Sequence, residues 1–152
     1  MEPVPQRIVE ISTIRATVVE LATMKRKIYS VLYWFAGVTI GLGAFGHGIG
    51  GGRVLRAGLA TAALDPNIVG VLWIVWYFVS GAMLLFGVAI VWSWFAARRG
   101  GRDVLIVPAM IGVLYAIFGA AALLYGRDPF WLLFLVQGVL LLGSSLGLRQ
   151  AS

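Results

Sequence analysis

The sequence of 152 residues contains no cysteine and few charged side chains. The absence of cysteine excludes disulfide bonds, thiolate catalysis and metal clusters held by cysteine. Charged residues make up 12% of the chain, where soluble domains have about 25%. Apolar residues of the AVILMFWYC set make up 61%, and there are also 20 glycines. A water-soluble domain of this size could not bury so much apolar surface, so the composition disfavours a cytosolic enzyme.

Four segments of at least 20 residues contain no charged side chain: residues 28–52, 66–97, 104–126 and 129–148. A helix needs about 20 apolar residues to cross a hydrocarbon layer of about 30 Å. These segments are apolar throughout and do not alternate, which favours membrane helices over barrel strands. The sequence therefore predicts an all-α integral membrane protein, an antiparallel bundle of four transmembrane helices joined by short connections. The predicted spans are about 28–48, 69–96, 104–125 and 130–148, in a domain of residues 28–149 followed by a tail of 150–152.

The distribution of lysine and arginine predicts which helix ends face the cytoplasm. Four spans place both termini on one side of the membrane. Nine of the 12 lysines and arginines lie on that side, and Arg53, Arg56 and Arg127 lie on the other. The positive-inside rule therefore predicts cytoplasmic termini, and we expect a cell inner membrane. Anionic lipid accounts for the net charge of +6, and no basic-aromatic motif indicates a nucleic-acid partner.

Residues 1–27 are too polar to cross the membrane, but they have an apolar periodicity. The apolar residues recur at spacings compatible with one helix face: Ile8, Ile11, Val18, Leu21 and Ala22. This pattern predicts an amphipathic helix that lies on the cytoplasmic surface and runs into the first span. The alternatives are a disordered tail ahead of a start at Met24, or a cleaved signal, although no A-x-A motif follows the apolar run.

Small residues repeat at intervals of one helical turn within three of the predicted spans. The repeats are Gly37 and Gly41, Gly112 and Ala116, and Gly143 and Gly147. Between helices in lipid, small residues allow the close backbone approach that drives association. These residues are therefore predicted to lie at helix–helix contacts.

Aromatic and polar side chains mark the second, third and fourth spans. One face of the second span carries Trp73, Trp76, Tyr77 and Ser80 at i, i+3, i+4 and i+7. Such a face is typical of packing or of an interfacial belt, and it can also stack on a ring-shaped ligand. Ser80, Tyr115 and Gln137 are expected near mid-membrane, where a buried amide needs hydrogen-bond partners. They predict either an interhelical polar cluster or the polar anchors of a cavity for a small apolar ligand.

The only histidine, His47, lies in the run Gly41-Leu-Gly-Ala-Phe-Gly-His47-Gly-Ile-Gly-Gly-Gly52. Five glycines at positions 46–52 predict that the backbone leaves the helix here and approaches another chain or a ligand closely. Three hypotheses remain open for His47. It orders the exit loop by a hydrogen bond to a carboxylate or carbonyl, it is the axial ligand of a haem or pigment, or it is a pH-sensitive or catalytic group.

The segment Gly41-Leu-Gly-Ala-Phe-Gly-His47, at the end of the first of four spans, resembles a family of small uncharacterised bacterial inner-membrane proteins with eukaryotic relatives. In that family the first span ends in Gly-Ala-Phe-Gly-Ala-His. This chain lacks one alanine before His47, and the family's second-span histidine would fall near Tyr77. The resemblance covers seven residues and the four-span layout, and it implies no particular activity.

Three functional hypotheses follow from these patterns. The favoured one is a non-enzymatic accessory, assembly or stabilising subunit that acts through helix contacts, since the chain has no catalytic constellation and no ionisable residue deep in a span. Its expected partners are membrane lipids and either other integral membrane subunits or a second copy of the chain, with no cofactor. The alternative is a binder or carrier of a small apolar ligand such as a lipid, quinone or pigment. The third is a redox protein with His47 as a metal ligand.

Overall fold

The computed structural model describes the backbone of residues 6–150 and the side chains from residue 15 onward. Within this part of the chain all regular structure is helical. The five α-helices are α1 (Gln6–Phe45), α2 (Gly52–Thr61), α3 (Pro66–Arg98), α4 (Ile106–Gly126) and α5 (Leu132–Gln150). A π-helical segment, Gly46–Gly51, joins α1 to α2, and short 3₁₀ turns, Arg102–Leu105 and Pro129–Trp131, precede α4 and α5.

Four helical stretches are long and apolar enough to cross a membrane, which confirms the predicted number of long apolar helices. They are Arg15–Thr61, Pro66–Arg98, Arg102–Gly126 and Pro129–Gln150. Large apolar side chains are exposed on all four, among them Leu42, Phe78, Leu124 and Leu133. Such an outward apolar surface is expected where lipid, not water, is the solvent.

Two aspartates cap the helices that follow the tight connections. The Asp65 side chain accepts a hydrogen bond of 2.7 Å from the Asn67 N–H, and Pro66 occupies the first turn of α3. The Asp128 side chain accepts one of 2.9 Å from the Phe130 N–H ahead of α5. These groups satisfy backbone donors that have no partner within the helix. Helix α3 therefore begins at Pro66, three residues ahead of the predicted span of 69–96.

The helices pack in the order α3, α1, α5, α4, with only slight contact between α3 and α4. Two contacts show that neighbouring helices are antiparallel, because each joins residues that lie at the same depth in the bundle. The Tyr33 hydroxyl on α1 donates a hydrogen bond of 2.7 Å to the Ile90 carbonyl on α3. Near one end of the bundle Arg149 on α5 lies 3.1 Å from Asp103, just ahead of α4. Both partners of this ion pair are exposed, so its contribution to stability is small.

Most of the predicted small residues lie at close helix contacts. A Cβ built at Gly37 would lie 2.6 Å from Ile90, and one at Gly112 would lie 2.7 Å from the Leu142 nitrogen. The remaining contacts join Gly41 to Gly87, Ala116 to Gly138, and Gly147 to Tyr29, while a Cβ at Gly143 would have nothing within 4 Å. The tightest crossing, α4 against α5, also uses Gly119 and Gly138, which the one-turn repeats do not include.

The predicted N-terminal surface helix is the first part of α1. The helix runs from Gln6 to Phe45 without a break at residue 27, where the sequence places the boundary of the span. The Val18 and Leu21 side chains are exposed. The side chains of Ile8 and Ile11, and the whole of residues 1–5 and 151–152, lie outside the described part. The location of this segment on a membrane surface stays a prediction.

Helical structure continues where the sequence predicts an irregular exit from the first span. Gly51 and Gly52 have right-handed helical backbone angles, and α2 ends only at Thr61. The predicted spans leave residues 49–68 as a connection, and of these only residues 62–65 are not helical. The glycines widen the helix into a π turn and do not release the backbone from it.

Candidate functional site

His47, Trp76 and Ser80 form one interlocked cluster between α3 and the π turn. The His47 and Trp76 rings are stacked, with centroids 4.0 Å apart and an interplanar angle of 17°. The Trp76 Nε1–H donates a hydrogen bond of 3.0 Å to the His47 carbonyl. His47 Nδ1 lies 2.9 Å from Ser80 Oγ. The histidine partner is thus a hydroxyl on the second span, in place of the loop carboxylate or carbonyl that the sequence suggests.

The bonds of Ser80 determine the tautomer that we assign to His47. The Ser80 hydroxyl donates its only proton to the Trp76 carbonyl, at 3.0 Å. The Ser80 oxygen must therefore accept the hydrogen bond from His47 Nδ1–H. In a neutral imidazole this leaves the lone pair on Nε2. The pH-sensitive or catalytic role of His47 stays a prediction.

The glycine run allows the π turn to lie directly against α3. A Cβ built on Gly51 would be 2.6 Å from the Trp76 ring, and one on Gly48 would be 3.4 Å from Ser80 Oγ. A side chain at Gly51 would therefore displace the ring on which His47 stacks. Nothing lies within 4 Å of a Cβ at Gly50. The close approach of the π turn to α3 therefore requires glycine at only some positions of the run. Short π-helical segments occur often at functional sites.

An open groove of about 500 Å³ borders this cluster. Trp73, Tyr77 and Ser80 on α3 form one wall, and the end of α1, the π turn and the start of α2 form the other. Trp73 and Tyr77 are stacked, with ring centroids 5.6 Å apart. The complete lining is Ala44, Phe45, Gly48, Ile49, Gly52, Arg53, Arg56, Trp73, Tyr77, Ser80, Gly81 and Leu84. We call this cavity the α1–α3 groove.

Two arginines give the α1–α3 groove a positive charge. Arg53 and Arg56 both line it and lie one turn apart on α2. The Arg56 guanidinium carbon lies 5.6 Å from the centroid of the Trp73 ring, a cation–π contact. Neither arginine has an ion-pair partner among the described side chains. Both guanidinium groups can therefore bind an anionic group at the groove.

Tyr115 and Gln137 lie away from this groove, in the contact region of α4 and α5. Tyr115 is stacked on Phe134, with centroids 5.8 Å apart, and it touches Phe86 from the side. Its buried hydroxyl has no hydrogen-bond partner among the described residues. The cluster of Ser80, Tyr115 and Gln137 that the sequence suggests is therefore not formed. The reason is depth, because Tyr115 meets α3 at Phe86, about 9 Å along the helix from Ser80.

The sequence interpretation missed several residues of this site. Arg53 and Arg56 were counted only as charges that orient the chain, although their spacing of three places them on one helix face. Trp76 was assigned to the ligand-binding face, yet its ring lies behind the groove against His47. No sequence pattern marks Gly51 as the glycine beneath that ring, because the contact joins residues 25 positions apart.

His47 offers one nitrogen to a metal or pigment. Nδ1 is engaged by Ser80, so a metal ion could bind without displacing Ser80 only through Nε2. Among the described residues no three histidine, aspartate or glutamate side chains converge on a common point. A single imidazole would therefore have to carry such a ligand, and the role of His47 as a ligand stays a prediction.

Comparison of the chain with protein-family models, curated proteins and solved structures found no match. The resemblance of residues 41–47 to a family of four-span proteins therefore stays a prediction. Function has to be inferred from the chemistry of the site, since a helical bundle by itself indicates no activity.

Proposed function

We propose that this chain is a multi-pass membrane protein that binds an amphiphile with an acidic head group in the α1–α3 groove. One observation carries this proposal. Two arginines without an ion-pair partner among the described side chains and a wall of stacked aromatic rings line the same groove. The proposal develops the ligand-binding hypothesis from the sequence. We further propose that the membrane is a cell inner membrane and that both termini are cytoplasmic.

The size and lining of the groove support a small amphiphilic ligand. Its volume of about 500 Å³ lies in the range of about 300–1,000 Å³ that is usual for ligand sites. Phe45, Ile49 and Leu84 provide apolar surface, and the paired Trp73 and Tyr77 rings provide a flat face for a ring or chain.

The position of the charges supports an acidic head group. Arg53 and Arg56 lie on α2, beyond the apolar part of the first span, while the apolar lining residues lie within the spans. A ligand oriented with its apolar body among the helices would have its head group at the arginines. Guanidinium groups bind carboxylate and phosphate in a bidentate geometry, which favours these two groups.

The proposal is tested by measuring what copurifies with the protein. Wild type and Arg56→Gln/Tyr77→Ala would be purified from native membranes in mild detergent, and solvent extracts compared by mass spectrometry. Loss of one charged hydrogen bond and one ring contact removes about 2 kcal/mol or more. We expect at least a tenfold decrease of one acidic amphiphile in the variant.

A matched control is available at the same end of the bundle. Arg127→Gln/Tyr125→Ala makes the same chemical changes at residues that do not line the groove, and Tyr125 is 91% exposed. The control should retain the ligand. If wild-type extracts contain no acidic amphiphile above the level of the control membranes, or if both double variants lose it equally, the proposal is wrong.

An accessory-subunit function is the second candidate, and the open glycines of the spans favour it. Cβ atoms built at Gly70, Gly81 and Gly143 have nothing within 4 Å in this chain. In membranes, exposed small residues of this kind are typical of contacts with another helix. Native mass spectrometry in mild detergent tests this candidate, because a dimer or a copurified subunit supports it and a lone monomer contradicts it.

A further inference from the structure

A second cavity lies at the opposite end of the bundle from the α1–α3 groove. It has a volume of about 600 Å³ and lies where α1, the end of α3, the turn before α4 and the end of α5 meet. Its lining is Thr23, Arg26, Lys27, Ser30, Val31, Trp94, Ala97, Arg98, Arg102, Leu105 and Leu148. We call it the basic groove.

The charge of the basic groove has one sign. Four of its lining residues are cationic, namely Arg26, Lys27, Arg98 and Arg102, and none is acidic. Arg26, Lys27 and Arg98 have no ion-pair partner among the described side chains. The hydroxyls of Thr23 and Ser30 donate to carbonyls of their own helix, so the donors available to a ligand are those of Arg26, Lys27 and Arg98. These cations give the groove a positive charge that attracts an anion.

The floor of the basic groove is apolar and firmly packed. Leu105 and Leu148 are buried there. Trp94 is held by neighbouring rings, with centroids 5.5 Å from Tyr33 and 5.7 Å from Trp34. A small soluble anion would gain nothing from this floor, whereas a glycerol backbone and the first methylenes of an acyl chain would be in contact with it.

An exposed apolar face of α1 continues from the basic groove along the span. It begins with Val31, which lines the groove, and its members recur at helical spacing: Val31, Phe35, Val38, Leu42 and Phe45. These side chains are between 44% and 67% exposed. An acyl chain that leaves the groove can therefore follow α1 without crossing polar surface.

We propose that the basic groove binds the phosphate of an anionic phospholipid head group, with the acyl chains lying along this face of α1. Basic pockets between helices at a membrane surface bind such head groups in other proteins. The lining of the basic groove shares no residue with the α1–α3 groove, and the apolar face of α1 reaches that groove only at Phe45. The proposed lipid site does not depend on the ligand proposed there.

The proposal is tested by titrating delipidated protein in detergent with defined ligands and counting bound molecules by native mass spectrometry. The probes are phosphatidylglycerol, phosphatidylcholine and inorganic phosphate. We expect the wild type to bind phosphatidylglycerol at least tenfold more tightly than either of the other two. We expect Arg26→Gln/Arg98→Gln to bind phosphatidylglycerol about thirtyfold more weakly, since each cation near an anionic lipid contributes about fivefold.

Two control variants separate this site from general charge effects and from the other groove. Arg15→Gln/Arg99→Gln removes the same charge from residues outside the basic groove, and Arg53→Gln/Arg56→Gln alters only the α1–α3 groove. Both should lose less than about threefold in affinity for the tightest-bound phosphatidylglycerol. Circular dichroism and size-exclusion chromatography verify that each variant is folded.

Three outcomes would overturn the proposal. An equal loss of affinity for phosphatidylglycerol in the Arg26/Arg98 and Arg15/Arg99 variants would indicate diffuse electrostatic attraction. A loss of this affinity only in the Arg53/Arg56 variant would place the bound lipid in the α1–α3 groove. Inorganic phosphate that binds as tightly as phosphatidylglycerol would identify the ligand as a soluble anion.

Discussion

At the scale of single residues, the hydrogen bonds of Ser80 determine the tautomer that we assign to His47. Ser80 has one proton, and the Trp76 carbonyl accepts it. His47 Nδ1 is therefore the donor to Ser80, and Nε2 keeps its lone pair. The hydrogen bond and the stack on Trp76 fix the orientation of the ring. The structural role expected of this histidine is thus an interhelical one, between the π turn and α3.

Gly51 is the residue at which a single methyl group has the largest predicted effect on this site. A Cβ there would lie 2.6 Å from the Trp76 ring, and the ring is held by its stack and by its hydrogen bond to the His47 carbonyl. We expect Gly51→Ala to lower the free energy of unfolding by about 1–3 kcal/mol through overpacking. Reversible unfolding in mixed detergent measures this change.

Gly50 provides the control for this substitution. It lies in the same π turn, and nothing is within 4 Å of its built Cβ. Gly50→Ala should leave stability unchanged or raise it by up to about 1 kcal/mol, because alanine loses less backbone entropy in a helix. Equal effects of the two substitutions would contradict the proposed contact between Gly51 and Trp76.

At the scale of helices, the bundle consists of one tight pair and one looser pair. Backbone atoms of α4 and α5 approach so closely that Gly112, Gly119 and Gly138 have no space for a side chain. In contrast, only 17% of the most apolar stretch of α3 is buried inside the bundle, whereas 39% of the corresponding stretch of α4 is buried. The α1–α3 groove lies beside the less buried helix, where the chain can accommodate a ligand.

The close approach of α4 and α5 makes Gly138, like Gly119, a position that cannot hold a side chain without moving backbone. A Cβ on Gly138 would overlap the backbone of Ala116 and the carbonyl of Gly112, and backbone atoms cannot rotate away. We expect Gly138→Ala to separate the two helices and to cost about 1–3 kcal/mol or more in unfolding free energy.

Gly143 lies on the same helix and is a suitable control. Nothing lies within 4 Å of its built Cβ, so Gly143→Ala should be neutral or slightly stabilising in the monomer. The same titration in mixed detergent compares both variants with the wild type. A Gly143→Ala variant as unstable as Gly138→Ala would show that glycine loss in α5 acts through something other than this crossing.

At the scale of the whole molecule, the distribution of charged side chains supports the orientation that we propose. The basic groove and the ends of α3 and α5 share one end of the bundle, and Arg53 and Arg56 lie at the other. More lysine and arginine lies at the first end, which favours its placement in the cytoplasm.

The absence of cysteine makes this orientation directly measurable. Single cysteines at the exposed positions Arg15, Ala63, Tyr125 and Gln150 would be treated with a membrane-impermeant thiol reagent. We expect Ala63→Cys and Tyr125→Cys to react in intact cells, and Arg15→Cys and Gln150→Cys only after lysis. Reaction of the last two on opposite sides would contradict an even number of spans, and reaction of both in intact cells would reverse the orientation.

The sequence alone determined the number of long apolar helices, the absence of strands in the described chain and the contact positions of five of the six predicted small residues. Apolar length is set by the thickness of the bilayer, and close helix approach requires small side chains, so both leave a local pattern. The sequence also predicted that Trp73, Tyr77 and Ser80 share one helix face, because helical spacing acts over a few residues.

Only the tertiary structure decided which helices form pairs and which side chains meet. It joined His47 to Ser80 across 33 positions, kept the glycine run helical, and separated Tyr115 and Gln137 from the α1–α3 groove. It also placed eleven residues from all four helical stretches around the basic groove. Helix rotation and depth depend on the fit of all the spans together, and no local spacing encodes that fit.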